Sequence, residues 1–347
     1  MTIVKTLSPA VIVWLVMTPV FALPLAPQDV NGKADEIVRA IQKAVRVGGD
    51  PQIRDAERLV AEIDGMEGGL VKQQANAHLL LGSHYRNVDD EDGVFRHYSR
   101  LLALSAGLAG DEAIGFGTAA SVNLAGVWVN RGDDKRAMTI LDQAITRINA
   151  TSGTVSAESQ MMRQFLEDQR LRYSMIGQRA PSVEGKYWLN APNDTAVIEM
   201  TGKVRLLVFT AHWCMPCQKS YPALKRLAAE FAPRGFEVVL ATRLYGMAAG
   251  KKVSPDVELD LLREYYLIAH SLPFPIAVEE QPPDAPQTRP GPVSASRNEC
   301  SYHTAGLPEF VLVDRGGVIR RILFAGWDAK NEPALVAAIR ASLEPQR

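Results

Sequence analysis

Val204-Arg205-Leu206-Leu207-Val208-Phe209-Thr210-Ala211-His212-Trp213-Cys214-Met215-Pro216-Cys217 reads as a buried strand running straight into a Cys-x-x-Cys where a helix begins. At a helix N-terminus, Cys214 meets unpaired backbone N–H groups and the positive end of the macrodipole, and both favour its thiolate. Cys217, one turn on, faces the same side and can close a disulfide with little backbone movement. Pro216 falls in the first turn, where its missing N–H costs little, and Pro222 is expected to kink the same helix.

The pair has two rival readings. A structural zinc site needs a second ligand pair, but the chain has only one more cysteine, Cys300. Its six histidines show no His-x3-His spacing. A purely structural disulfide across so tight a loop gains little loop-closure entropy. Redox work remains the stronger reading, with no metal and no cofactor required. Lys+Arg 38 against Asp+Glu 39 leaves no global pull toward nucleic acid.

Working outward toward the C-terminus, β-rich runs appear at Val204 to Thr210, Phe236 to Thr242, Phe310 to Val313 and Val318 to Phe324. They alternate with helical segments at Tyr221 to Phe231, Val257 to Ala269 and Glu332 to Leu343, which predicts an α/β domain over 179–347. Between Glu279 and Arg297 lies a loop with five prolines. Loops of that length often border functional sites.

Toward the N-terminus, apolar residues recur three and four apart from about Lys33 to Met175, which predicts an all-helical domain over 30–178. One helix ends at Gly48-Gly49, and a second runs from near Pro51 to Gly65. Two segments resemble tetratricopeptide hairpins: Leu81-Gly82, Tyr85, Tyr98 and Leu101, then Leu124-Ala125, Trp128, Ala137, Leu141 and Ala144. Their offset of about 43 residues exceeds the roughly 34 of the consensus repeat, so an irregular helical bundle stays open. Residues 1–22 read as an export signal, with Lys5, an apolar stretch from Ala10 to Val16, and Val20 and Ala22 before the cleavage point. This implies a periplasmic or secreted protein; an uncleaved N-terminal membrane anchor is the alternative.

The C-terminal half resembles the thioredoxin superfamily, specifically its exported TlpA/ResA-type thiol-disulfide reductases. The resemblance rests on Gly202-Lys203-Val204, Trp213-Cys214-Met215-Pro216-Cys217, Phe274 to Val278, Tyr302 to Pro308, Phe310 to Asp314 and the turn Arg315-Gly316-Gly317. It implies that Cys214 and Cys217 form the working dithiol and that Pro308 is a cis-proline beside it. It also implies that Leu307 offers its backbone to an extended substrate segment, and that Trp213 covers one side of the sulfurs. Clients would be disulfide-bearing proteins, and a membrane-embedded thiol donor would restore the dithiol.

Two departures from that pattern stand out. Val208 occupies the place of the usual buried acid, and Ser220 that of a frequent glutamate after the second cysteine. Deprotonation of Cys217 then falls to water, His212 or another group, with His212 expected to face solvent near the rim. Cys300 is read either as a half-buried inert thiol or as a third redox thiol close to the dithiol. The leading function is reduction of client disulfides. The alternatives are a disulfide oxidant or isomerase, or an interaction scaffold whose helical half holds a protein partner.

Overall fold

The computed structural model describes residues 27–88, 90–150, 156–192, 195–280, 296–304, 306–324 and 332–344. The expected export signal and most of the proline-rich loop lie outside them.

The described residues of the first half form seven helices: α1 (Pro27–Val47), α2 (Asp50–Asp64), α3 (Val71–Asn87), α4 (Glu91–Ser105), α5 (Gly110–Asn130), α6 (Asp134–Asn149) and α7 (Ala157–Ser174). Gly49 at φ 88° makes the turn between α1 and α2, a left-handed conformation that glycine adopts without cost. Asp90, Asp133 and Ser156 cap α4, α6 and α7 by accepting from Gly93 N, Arg136 N and Ser159 N. Consecutive helices pack on one another, and α1 also meets α3 while α5 meets α7. Two glycines of the helical half lie at close approaches. A Cβ on Gly82 would come within 2.9 Å of the Tyr98 ring, and one on Gly93 within 2.3 Å of the Tyr85 ring.

The second half holds β1 (Val183–Glu184), β2 (Tyr187–Leu189), β3 (Val197–Ile198), β4 (Val204–Phe209), α8 (Met215–Phe231) and β5 (Phe236–Arg243). Then come β6 (Met247–Ala248), β7 (Lys251–Lys252), α9 (Pro255–Asp260), a π-helical stretch (Leu261–Tyr266), α10 (Leu267–His270) and β8 (Ile276–Glu279). The chain closes with α11 (Arg297–Ser301), β9 (Glu309–Val313), β10 (Ile319–Phe324) and α12 (Glu332–Leu343).

Six strands form one mixed sheet in the order β10-β9-β4-β5-β8-β2. β4 runs parallel to β5 and β5 to β8, while β9, β10 and β2 are antiparallel to their neighbours. All six residues of β4 are buried, as a central strand with both faces covered requires. On one face Leu206, Val208, Leu240 and Leu312 pack against Cys217, Tyr221 and Leu224 of α8. On the other, Leu207, Phe209, Val239 and Val311 pack with Tyr302, Ile319 and Ile322, joined by Met175 and Ile176 from the end of the helical half. Backbone bonds continue that junction, with Gly177 N donating to Ile319 O and Ile319 N to Gln178 O.

Candidate redox site

Cys214 is the N-cap of α8, and its Sγ accepts from Cys217 N at 3.2 Å. The two cysteines are disulfide-bonded with Cα atoms 5.3 Å apart, and both are buried. Around them the rim is apolar and open: Trp213 is 53% exposed and Met215 66%. Pro216 lies exposed in the first turn of α8. The Trp213 ring leans edge-to-face on Tyr245, with centroids 5.3 Å apart.

Topology brings a second segment to this edge of the sheet. Because β9 is antiparallel to β4, it begins where β4 ends, with Glu309 opposite Phe209. The Leu307–Pro308 peptide bond immediately before it is cis. Pro308 is buried, and Leu307 is half-buried against both core clusters.

Val208 is fully buried and apolar on the α8 face. Ser220 is also fully buried, but its hydroxyl donates to Cys217 O at 2.6 Å. His212 corrects the sequence expectation. Its side chain is only 8% exposed, and it donates through Nε2 to Glu258 Oε1 at 2.9 Å. Glu258 is wholly buried and also accepts from Tyr245 N and Gly246 N. Burial alone would raise its carboxyl, but the His212 hydrogen bond and the two backbone donors outweigh that and hold it below the ordinary range. Glu258 thus ties the dithiol loop to the turn after β5.

A line of hydroxyls runs beneath the loop. Thr210 Oγ1 bonds the Tyr221 hydroxyl at 2.6 Å, Tyr221 bonds Tyr266, and Tyr266 donates to Ala211 O at 3.4 Å. Burial pushes both phenols up, so they remain protonated hydrogen-bonding groups.

Cys300 is exposed rather than half-buried, on α11. Asn298 of that helix bonds the Glu184 backbone of β1 in both directions, and Tyr302 packs with Phe209 on the second face. Cys217 belongs to the first face, so the sheet lies between Tyr302, which directly follows α11, and the dithiol on α8. Among the described residues no group of three or more His, Cys, Asp or Glu is arranged to hold a metal ion. No described helix is long and apolar enough to cross a membrane.

Sequence reasoning missed Glu258 and Tyr245. Glu258 lies 46 positions from His212, and no local pattern marks its burial. Tyr245 follows β5 in a run that reads as an ordinary loop.

The AhpC/TSA family profile matches residues 176–322. Thioredoxin-like protein YneN of Bacillus subtilis is 26% identical over 146 residues, which cover 42% of this chain and 69% of that protein. A solved thiol-disulfide isomerase from Corynebacterium glutamicum is 18% identical, covering 48% of this chain and 98% of its own, with a TM-score of 0.36. The thioredoxin domain of a thiol-disulfide oxidoreductase from Bacteroides vulgatus is 17% identical, covering 49% and 98%, with a TM-score of 0.34. The chain is an all-helical region followed by an α/β domain with a central mixed sheet, and residues 176–322 match the AhpC/TSA family profile.

Proposed function

We propose that this protein is a thiol-disulfide oxidoreductase that reduces disulfides of exported client proteins through Cys214 and Cys217. The observation that carries the reading is a disulfide seated at the first turn of α8, beside an open apolar rim and the Leu307–Pro308 segment. A helix N-terminus stabilises a thiolate at Cys214, and the Cys217 N–H aimed at its sulfur adds to that.

In the reducing direction, the Cys214 thiolate attacks one sulfur of a client disulfide. The client S–S bond breaks, a mixed disulfide forms, and the departing client thiolate takes a proton from solvent. Cys217 loses its proton and attacks Cys214 Sγ, which breaks the mixed disulfide and expels the second client thiolate. One client disulfide has become two thiols and the enzyme dithiol has become a disulfide. An upstream thiol donor restores the dithiol; in this reading it sits in a membrane. Leu307 would pair its backbone with an extended client segment. Trp213 and Met215 offer apolar surface to the same client. No metal or cofactor enters any of these steps.

The tetratricopeptide-like hairpins of the helical half would select the client or a protein partner. The apolar stretch at residues 1–22 would export the chain to the periplasm or beyond.

Replacing Cys214 with Ser abolishes reduction of an insulin-type disulfide under this reading, and full retained activity ends it. The reduction potential sets the direction. A value near or below roughly −270 mV, that of thioredoxin, fits a reductant, whereas one toward roughly −120 mV reverses the flow to disulfide donation.

A further inference from the structure

Arg172 lies near the end of α7, on the last helix before the redox domain, and Glu309 is the first residue of β9. Arg172 Nη1 donates to Glu309 Oε2 at 3.0 Å, across 137 residues of sequence. The pair is sealed, with Arg172 2% and Glu309 0% exposed. Arg172 Nη2 also donates to Gln169 one turn back on α7, and its guanidinium lies over the Tyr173 ring at 4.5 Å. The guanidinium is therefore fixed on its own helix before it reaches the sheet. Burial works against its charge, but Tyr173 and Glu309 outweigh that and keep it protonated.

Glu309 occupies a particular place. It follows Pro308 directly, and its backbone pairs with Phe209 at the end of β4, five residues before Cys214. The residue that carries this carboxylate is therefore paired through its backbone with the strand that leads to Cys214. Neighbouring contacts make the junction continuous: Arg321 of β10 donates to Val129 O at 2.7 Å, and its guanidinium lies against Gly132. Met175 and Ile176 pack on the same sheet face.

We infer that Arg172 is a positioning residue for the proposed disulfide exchange, holding Glu309 and through it the Leu307–Pro308 segment in place against the dithiol loop. The helical half is then part of the client-recognition apparatus of the redox domain. This inference rests on the oxidoreductase reading for its catalytic consequence, but its structural core does not.

The test uses the full chain as Arg172→Met and Arg172→Lys. The lysine variant keeps a charge for Glu309 while losing the planar fork that reaches Gln169. Three quantities are read: KM and kcat for a protein disulfide, turnover of a small aromatic disulfide, and hydrogen exchange of the peptide spanning Thr304–Val311. Arg172→Met is expected to raise KM for the protein disulfide about tenfold, through misplacement of the client-binding segment by less than the roughly 1 Å that can cost a hundredfold. Small-disulfide turnover should stay within about twofold, because it needs no docking on Leu307. Exchange at Leu307–Phe310 should accelerate, and Arg172→Lys should fall between the variant and the parent. Should Arg172→Met fail to fold, the lysine variant alone must still show a KM above the parent's and faster local exchange than the parent. Unchanged exchange at Leu307–Phe310 in a folded variant, or an equal loss on both substrates, overturns the inference. If the parent protein reduces neither substrate, the oxidoreductase reading fails. Accelerated local exchange would still establish the coupling from Arg172 to the Pro308 segment.

Discussion

His212 and Glu258 form a buried hydrogen-bonded pair, imidazole Nε2 to carboxylate Oε1 at 2.9 Å, two residues before the candidate nucleophile Cys214. The carboxylate also holds the backbone N–H groups of Tyr245 and Gly246, so its removal strands three buried donors. Glu258→Ala is expected to cost about 3 kcal/mol of stability, the range for breaking a buried charged network. Thermal unfolding measures this, and a loss below about 1 kcal/mol would mean that the pair contributes little.

The same pair gives a pH sign. Glu258 is held below its ordinary value in the folded chain. The folded state then favours the carboxylate, and the associated stability is present above the unfolded value near 4.5 and fades as pH falls below it. Glu258→Gln should flatten that part of the stability–pH curve. An unaltered curve counts against the assignment.

A second titrating cluster sits in the helical half. His78 Nδ1 lies 3.0 Å from His97 Nδ1, while His78 Nε2 meets Asp64 at 3.1 Å and His97 Nε2 meets Glu57 at 3.2 Å. Tyr85 and Arg96 also donate to Glu57, and Arg100 stands 3.6 Å from Asp64. Burial would raise Glu57, but the bonds from His97 and Tyr85 with the charges of His97 and Arg96 hold it at about 2. Burial likewise holds His78 below its ordinary 6.5, against the pull of Asp64. Both effects have one sign. Acidification below 6.5 protonates His78 more readily in the unfolded chain, and between 4.5 and about 2 Glu57 loses its advantage, on the order of 2 kcal/mol after solvent screening. Urea unfolding from pH 7 to 3 should show falling stability that Glu57→Gln blunts. A rise on acidification contradicts the cluster.

The central strands were legible because burial on both faces writes an uninterrupted apolar run: Val204 to Phe209 is strand in both readings, and Phe236 to Thr242 differs from β5 only at Arg243. The dithiol was legible because its chemistry is local, two cysteines one helical turn apart. What stayed hidden depends on distant partners. Glu258 and Glu309 look like surface acids in the sequence, and partners far along the chain help make their burial tolerable: a histidine 46 positions away for the first and an arginine 137 positions away for the second. The paired strands β1 and β3 have two residues each, too short for any alternation to register. His212 was misjudged for the same reason, since its burial is decided by α9.

Glycine at position 93 is required by space rather than by backbone freedom. It lies in the first turn of α4, and a Cβ there would sit 2.3 Å from Tyr85 Cγ. Tyr85 is itself held by its bond to Glu57 and by stacking on His97, with ring centroids 5.4 Å apart, so it has little room to yield. Gly93→Ala is expected to destabilise the helical half by about 2–3 kcal/mol through overpacking. A calorimetric loss confined to the noise would show that Tyr85 can move.

Cys300 offers the clearest separation between the two readings of the third thiol. It is exposed on α11, which packs with β1, and Tyr302 directly after that helix lies on the second face of the sheet, whereas Cys217 belongs to the first. Reaching Cys214 or Cys217 would require Cα atoms to approach within about 7 Å, the limit for a disulfide. An exposed thiol outside the disulfide should alkylate in the oxidised protein, while Cys214 and Cys217 label only after reduction. Peptide mass spectrometry of the oxidised chain should find Cys214 joined to Cys217 and Cys300 carrying the alkylating label. Cys300→Ser should keep disulfide-reducing turnover within about twofold of the parent, since it removes a thiol the exchange steps do not use. A peptide linking Cys300 to either active cysteine, with turnover lost in Cys300→Ser, would make it a resolving thiol. The exchange would then run through a disulfide that spans the two faces of the sheet.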